Sequence, residues 1–362
     1  MHFEPFKLSA QEVLFLLCPR LEELSIICKK PANPSVLLNS LQSLSPNLID
    51  VTLQYVVLDD HCLSALCMLT RLETVRVRDA ASGATPVTLD FLLNMSARHT
   101  LRCLELSGYD LEIVPSLKPP INQRDTIIFE ALKHLEIYCD LVVTSLTVLL
   151  PHTTFPVLEV FRIGFQNTVL RPRRLGLKEH WYQLFNSISN ATTEDLKGLQ
   201  FACDSHDSAE LPLFGILKPG TLSLTSFIVN GPFLRLDHHD MEAIIHTWPL
   251  LTTLSLPQRH ESSPKLDFSV LITIARGLPH LRRLDISIDA TVLPYTPSLS
   301  HGMRTLVLLN LHVKNTYRFA ECLDRLFPNL EEWEFIGDSD DEVTWADMAL
   351  INQRSFRRMY EP

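Results

Sequence analysis

One eight-residue pattern constrains this chain more than any other feature: Pro-x-Leu-x-x-Leu-x-Ile. Pro279-His280-Leu281-Arg282-Arg283-Leu284-Asp285-Ile286 states it in full, and near copies stand at 19–26, 46–53, 156–163, 249–256 and 328–335. Counting the first leucine as position 1, positions 4 and 6 alternate with polar residues, so their apolar side chains point to one face of a strand. Position 1 lies in the turn that leads into the strand and can fold back into the same core. The proline two residues earlier cannot continue a helix and pushes its predecessor out of the helical region. Each unit therefore reads as helix, stop, short strand. A single unit is too small to bury its own apolar face, so copies must stack.

Position 1 falls at Leu21, Leu48, Leu72, Leu101, Leu132, Leu158, Leu196, Leu224, Leu251, Leu281, Met303 and Leu330. Leu196, Leu224 and Met303 head the least regular copies. The steps average about 28 residues, within the leucine-rich-repeat range. Helical spacing fills the intervals, at 10–17, 36–44, 61–69, 88–95, 144–150, 176–188, 238–248, 268–276 and 317–327. Ser9, Asp59, Asp237 and Asp267 stand where an N-cap is needed. Strand and helix alternating throughout imply parallel strands covered by helices. The expected fold is α/β: a right-handed leucine-rich-repeat solenoid, or horseshoe, of about twelve irregular repeats, with a curved parallel sheet inside and helices outside. One such domain is expected over 1–362, with a covering helix in 1–18, repeats in 19–336, and a cap and tail in 337–362.

A solenoid grows without a central core, so 362 residues need not mean several domains. With 46% hydrophobic and 20% charged residues the chain is globular in composition, and its formal net charge of −10 argues against a nucleic-acid binder. Eight cysteines without a Cys-x-x-Cys pair read as reduced core residues. No signal peptide or membrane span is legible, so a cytoplasmic or nuclear location is expected.

The segments 278–286 and 327–335 resemble the degenerate repeats of fungal F-box/leucine-rich-repeat proteins, and the resemblance spans roughly residues 9–352. It implies a repeat surface that holds a substrate, and a ubiquitin-ligase connection through an F-box. The chain departs from that pattern in two ways. Before Leu21 there is no room for an F-box, so the chain as given is not expected to bind the ligase adaptor unless an F-box is supplied elsewhere. Where many leucine-rich repeats carry Asn or Cys at position 9, Lys29, Val56, Tyr109 and Arg259 stand instead.

Catalytic motifs are missing: there is no nucleophile elbow, phosphate-binding loop, His-Glu-x-x-His or EF-hand loop. No enzyme activity and no cofactor are expected. The alternative is a metal or enzymatic site at His238, Glu242 and His246, spaced i, i+4, i+8 on one helix; the plainer reading is an exposed helical face. Cys62 and Cys67 read as core, Arg171, Arg173 and Arg174 as a solvated loop, and the acidic run in 331–342 as part of a soluble cap. The strand face opposite the leucines, at positions 3, 5 and 7, is more informative. It mixes both signs of charge, which suits a protein partner better than RNA or a small substrate. Arg76, Arg78, Glu105, His134, Glu136, Tyr138, Arg162 and Arg283 are the expected contact residues, with Arg76, Arg78, Tyr138 and Arg162 as anchors.

Overall fold

The computed structural model describes residues 2–3, 17–80, 87–108, 113–114, 126–138, 146–147, 149–165, 177–203, 222–230, 236–257 and 266–336. The expected helix at 10–17 apart from Leu17, residues 144, 145 and 148 of that at 144–150, and the closing segment beyond 336 lie outside the described residues. The chain forms two compact units, Met1–Leu196 with Ala202–Ser205, and Lys197–Phe201 with His206–Pro362.

The first unit runs β1 (His2–Phe3), β2 (Glu23–Ala32), α1 (Ser35–Leu44), β3 (Asp50–Val56), α2 (Asp60–Met68), β4 (Thr74–Ala80), β5 (Val87–Thr88), α3 (Leu89–Ser96), β6 (Cys103–Gly108), β7 (Ile113–Val114), β8 (Ile127–Ile128), β9 (His134–Tyr138), a 3₁₀ turn (Leu150–His152), β10 (Thr153–Thr154), β11 (Val160–Phe165) and α4 (Leu177–Ala191). Its main sheet is parallel in the order β1-β2-β3-β4-β6-β9-β11. β5 with β7 and β8 with β10 form short parallel pairs of their own. β12 (Gly198–Cys203) carries residues of both units. The second unit continues with β13 (Ser226–Asn230), α5 (His238–Thr247), β14 (Thr253–Leu256), α6 (Ser269–Gly277), β15 (Arg283–Ala290), β16 (Thr305–Val313), α7 (Thr316–Leu326) and β17 (Glu332–Ile336). Its strands are again parallel and in sequence order. The molecule is thus α/β with extensive parallel sheet, and within each unit the sheet is open.

The register follows the repeat. In the first unit Glu23, Asp50, Thr74, Cys103, His134 and Val160, each at position 3, stand side by side. Ser226, Thr253, Arg283, Thr305 and Glu332 do so in the second. Positions 4 and 6 therefore form continuous columns, and Leu24, Ile26, Leu104, Leu106, Leu254, Leu284 and Ile286 are all buried. Ten of the twelve position-1 residues are buried too, including Leu196, Leu224 and Met303; Leu21 and Leu330 are half-buried. Burial of each such side chain is worth about 1.5–3 kcal/mol.

A second regularity lies in the backbone. The carbonyl at position 2 accepts two N–H groups from the next repeat, those of positions 2 and 3. Ile49 and Asp50 donate to Glu22, Glu73 and Thr74 to Ile49, and Arg282 and Arg283 to Thr252. This junction satisfies the donors where the chain turns into the strand, which a buried turn must do.

Helices begin where short polar side chains can accept from the first turn. Asp59 accepts from Cys62 N, Thr88 from Phe91 N, and Asn315 from Arg318 N. Asp237 and Asp240 form a reciprocal capping box. Asp267 differs from expectation, because α6 starts one residue later. Its carboxylate accepts from Ser269 N in a turn ahead of Phe268.

The missing Asn or Cys at position 9 also has a structural counterpart. Tyr55 and Asp79, both at position 8, adopt left-handed backbone with φ of 56° and 49°. Such φ values are uncommon outside glycine. The resulting bulge turns Val56 and Ala80 into the core, where both are buried. Gly108 permits the next strand to close against this bend, since a Cβ there would lie 2.6 Å from that of Ala80.

Candidate protein-binding face

Seven of the eight expected contact residues come together on the face of the first unit opposite the core columns, on β4, β6, β9 and β11. Alternation alone places them there: with positions 4 and 6 committed to the core, 3, 5 and 7 must point the other way. Their charges are already paired. Arg76 Nη1 donates to Asp50 Oδ2 at 2.9 Å, and its Nε lies 3.8 Å from Glu105. Arg78 grips Glu105 with two donors, Nε at 2.5 Å and Nη2 at 2.9 Å. Arg162 Nη1 donates to Glu136 at 3.3 Å, and His134 Nε2 lies 3.6 Å from the same carboxylate. From Asp50 to Arg162 both signs mix across five adjacent strands, with Glu105 and Glu136 in register beside one another and each held by its own arginine.

The pairing sets protonation. The hydrogen bond from His134 and the charge of Arg162 hold the Glu136 carboxyl below the ordinary value of 4.5, against the opposing effect of burial. The Glu105 carboxylate raises the pKa of Arg78 above its ordinary value. Exposed pairs of this kind contribute about 0–1 kcal/mol each. Glu105 is the exception.

Glu105 was expected to face a partner, yet it is only 8% exposed. It accepts two hydrogen bonds from Arg78 and is the counter-charge for Arg76 as well. Tyr138 lies across Gly164 on the neighbouring strand, where a Cβ would fall 1.6 Å from the tyrosine ring. Glycine at position 7 of that repeat is what lets the ring lie there. Arg78 and Arg162 remain about half exposed at their side chains.

Compared with known proteins, the chain matches no family model and no curated sequence. What can be said about this face rests on its own residues.

Asp50 belongs to the network and Asp79 stands beside it, accepting from Gln54 Nε2 at 3.1 Å; neither was singled out from the sequence. The signal was present for Asp50. It stands two positions out of step with Arg76 on the next repeat, a diagonal within reach of a long side chain. The position of Asp79 depends on its left-handed backbone, which no local pattern announced.

Arg283 does not join this cluster. It belongs to β15 of the second unit, is exposed, and pairs with Asp285 at 3.1 Å. There the face opposite the core departs from the expected mixed polar surface. Val307 and Leu309, at positions 5 and 7 of β16, are 6% and 7% exposed, and Ser255 and Ser287 are buried as well. The run Leu306-Val307-Leu308-Leu309 is apolar without a break, the composition of a strand buried on both faces.

The other candidates stay apart from one another. His238 Nε2 lies 3.5 Å from Asp267, and Glu242 lies 4.0 Å from His239, so His238, Glu242 and His246 do not converge. Among the described residues no group of three His, Cys, Asp or Glu side chains could hold a metal. Burial pushes the Cys62 thiol up to about 12 and that of Cys67 to about 11, the opposite of what a nucleophile or metal ligand needs. Glu331 pairs with Arg304 at 3.6 Å; the rest of the acidic run past 336, with Arg171, Arg173 and Arg174, lies outside the described residues. No described helix is long and apolar enough to cross a membrane.

Proposed function

We propose that this chain is a non-catalytic protein-binding scaffold, a leucine-rich-repeat solenoid whose curved sheet presents the Asp50–Arg162 face to a protein partner. The observation that carries the reading is the in-register field of paired charges over adjacent strands. It is too broad and too mixed in sign for a small-molecule site, and it lacks the basic, aromatic-rich stripe a nucleic acid requires. Helices on the outer side and the likeness of the repeats to those of fungal F-box/leucine-rich-repeat proteins extend the reading to substrate recognition for a ubiquitin ligase. The F-box in that case is supplied outside the repeats.

The pairing suggests how binding works. Arg78 spends two of its five donors on Glu105, which fixes the guanidinium before a partner arrives. A fixed fork loses little side-chain entropy on binding. Tyr138, seated over Gly164, adds an aromatic surface beside Arg162, and such aromatic and arginine residues dominate interface energetics.

The test is a comparison of captured partners. Full-length chain and the Arg78→Glu/Arg162→Glu variant are used as bait in the same cell extract, with Arg282→Ala as a surface control. A partner bound by wild type and the control, and lost from the double variant, supports this reading. An identical set on all three baits removes the face from consideration.

A further inference from the structure

The step from Leu281 to Met303 is 22 residues and holds no helix; β15 ends at Ala290 and β16 begins at Thr305. The connecting strap is tied at both ends. Thr291 N donates to Asp289 at 2.8 Å, and Leu299 N to the Arg325 carbonyl at 2.7 Å. The His301 ring then locks the exit, accepting from Met303 N at 3.0 Å through Nδ1 and donating through Nε2 to the Leu278 carbonyl at 2.8 Å. Between these ties, among the described residues, the strap's one hydrogen bond is its own, from the Thr296 hydroxyl to the Pro294 carbonyl.

Exposure along the strap has a period of three. Val292, Tyr295 and Ser298 are exposed, with Val292 at 72% and Tyr295 at 84%. The next residue of each triplet turns inward: Leu293 and Leu299 are half-buried and Thr296 is buried. Pro294 and Pro297 stand between, half-buried. Three residues per turn without backbone–backbone hydrogen bonds is the geometry of polyproline II, and the Thr296 hydroxyl bond to Pro294 comes from a side chain. The local chemistry favours the same conformation, because the two prolines fix their own φ and confine Leu293 and Thr296, which precede them, to extended backbone. Tyr295 is the one residue from 293 to 297 without such a restraint.

We propose that the strap is a preformed polyproline-II recognition segment, read by a partner domain with an aromatic-lined groove. That partner class follows from the ligand's shape, since such grooves take a preformed proline helix at low entropic cost. The ridge presented is Val292, Pro294, Tyr295 and Pro297; the column of Leu293, Thr296 and Leu299 is kept by the fold. Two apolar side chains this exposed have no packing role of their own. The segment belongs to the second unit and does not depend on the charged face of the first.

The experiment screens the full-length chain against purified SH3, WW and EVH1 domains, measuring binding by fluorescence anisotropy. At least one domain is expected to bind. Val292→Ser/Tyr295→Ser is expected to weaken that binding by about tenfold or more, the loss of anchor residues, while Lys133→Ala, an exposed residue of the first unit, leaves it unchanged. Both altered side chains point outward, so an unchanged melting temperature confirms that the fold persists. A Pro297→Ala variant adds a second reading by freeing the backbone at Thr296. Binding by no domain, or binding indifferent to all three strap substitutions, overturns the proposal. So does binding solely by an SH2 domain to chain phosphorylated at Tyr295, which would make the tyrosine a modification site instead.

Discussion

The two units bury the same repeat positions, each in its own core, and differ in what they do with the other side of the sheet. In the first, position 5 reads Thr52, Arg76, Glu105, Glu136 and Arg162, a row of paired and mostly part-exposed groups. In the second it reads Ile228, Ser255, Asp285, Val307 and Glu334, with Ser255 and Val307 buried. The core columns at positions 1, 4 and 6 hardly change between the two, because every repeat must bury them to stack. The opposite face is free of that demand. One unit keeps it polar and open around the buried Glu105, and the other closes it at Ser255, Ser287, Val307 and Leu309.

A reciprocal swap at position 5 is the strongest way to break this contrast. Val307→Arg forces a guanidinium into a packed site of the second unit between its in-register neighbours Asp285 and Glu334, and the overpacking left after that pairing should cost about 1–3 kcal/mol. Arg162→Val in the first unit gives up one half-exposed pair with Glu136, worth about 0.2–1 kcal/mol. Urea-denaturation midpoints of the two variants measure the difference. Similar shifts would mean that the faces are not distinct in the way their burial indicates. Glu105→Gln comes next in size, at about 1–2 kcal/mol, because a buried acceptor loses its charge-assisted bonds while Arg76 and Arg78 can still reach water. A loss below about 0.3 kcal/mol, within the range of ordinary surface substitutions, would place Glu105 among the indifferent surface charges.

Repeat register was legible because every copy keeps an apolar position 1 and an alternating apolar pair after it. Proline stops the chain ahead of six of the twelve copies, and in the others, the weak ones at Leu224 and Met303 included, position 1 and the alternating apolar pair suffice to fix the face. The outer-face chemistry was less so. Nothing short-range says that Glu105 is shared by Arg76 and Arg78, since that depends on three side chains from two strands meeting at one height. Burial of Val307 and Leu309 was visible in their unbroken apolar run, but the repeat template assigned them to an open face and overrode it. Backbone bends at Tyr55 and Asp79 were beyond local pattern, because neither residue type favours a left-handed conformation strongly enough to be read. The short strands β5, β7, β8 and β10 are two residues each and carry too little alternation to recognise.

The charged face should also show itself in pH dependence. In the folded chain the Glu136 pKa is lowered, so between its folded and unfolded values the unfolded state binds the proton more often. Stability then rises with pH through that window. The contribution is present above the ordinary value of 4.5 and is lost as pH falls through the lower, folded one. Glu136→Gln removes the titrating group. Stability curves of wild type and variant, measured between about pH 3 and 6, should converge toward acid and separate toward neutrality, by about 0.5–1 kcal/mol. Parallel curves would show that His134 and Arg162 do not hold the carboxylate in solution.

Arg283→Ala should have the smallest effect, and it sharpens the comparison because of its neighbour. Arg283 and Leu284 are adjacent in β15 and lie on opposite sides of the sheet; the leucine is fully buried and the arginine exposed. Leu284→Ala opens a cavity between stacked repeats and should cost about 2–5 kcal/mol. Arg283 touches Asp285 across 3.1 Å, with half of its own side chain in water, so the pair is screened and the arginine loses entropy in making it. Its removal should shift stability by no more than about 0.5 kcal/mol. Asp285 adds one qualification of physical interest. Its side chain is only 13% exposed, so it depends on Arg283 more than Glu136 depends on Arg162. If Arg283→Ala costs clearly more than Arg162→Val, the closed face of the second unit makes even its rim ion pair structural. Equal, small losses would confine that closure to Val307, Leu309 and the serines beside them.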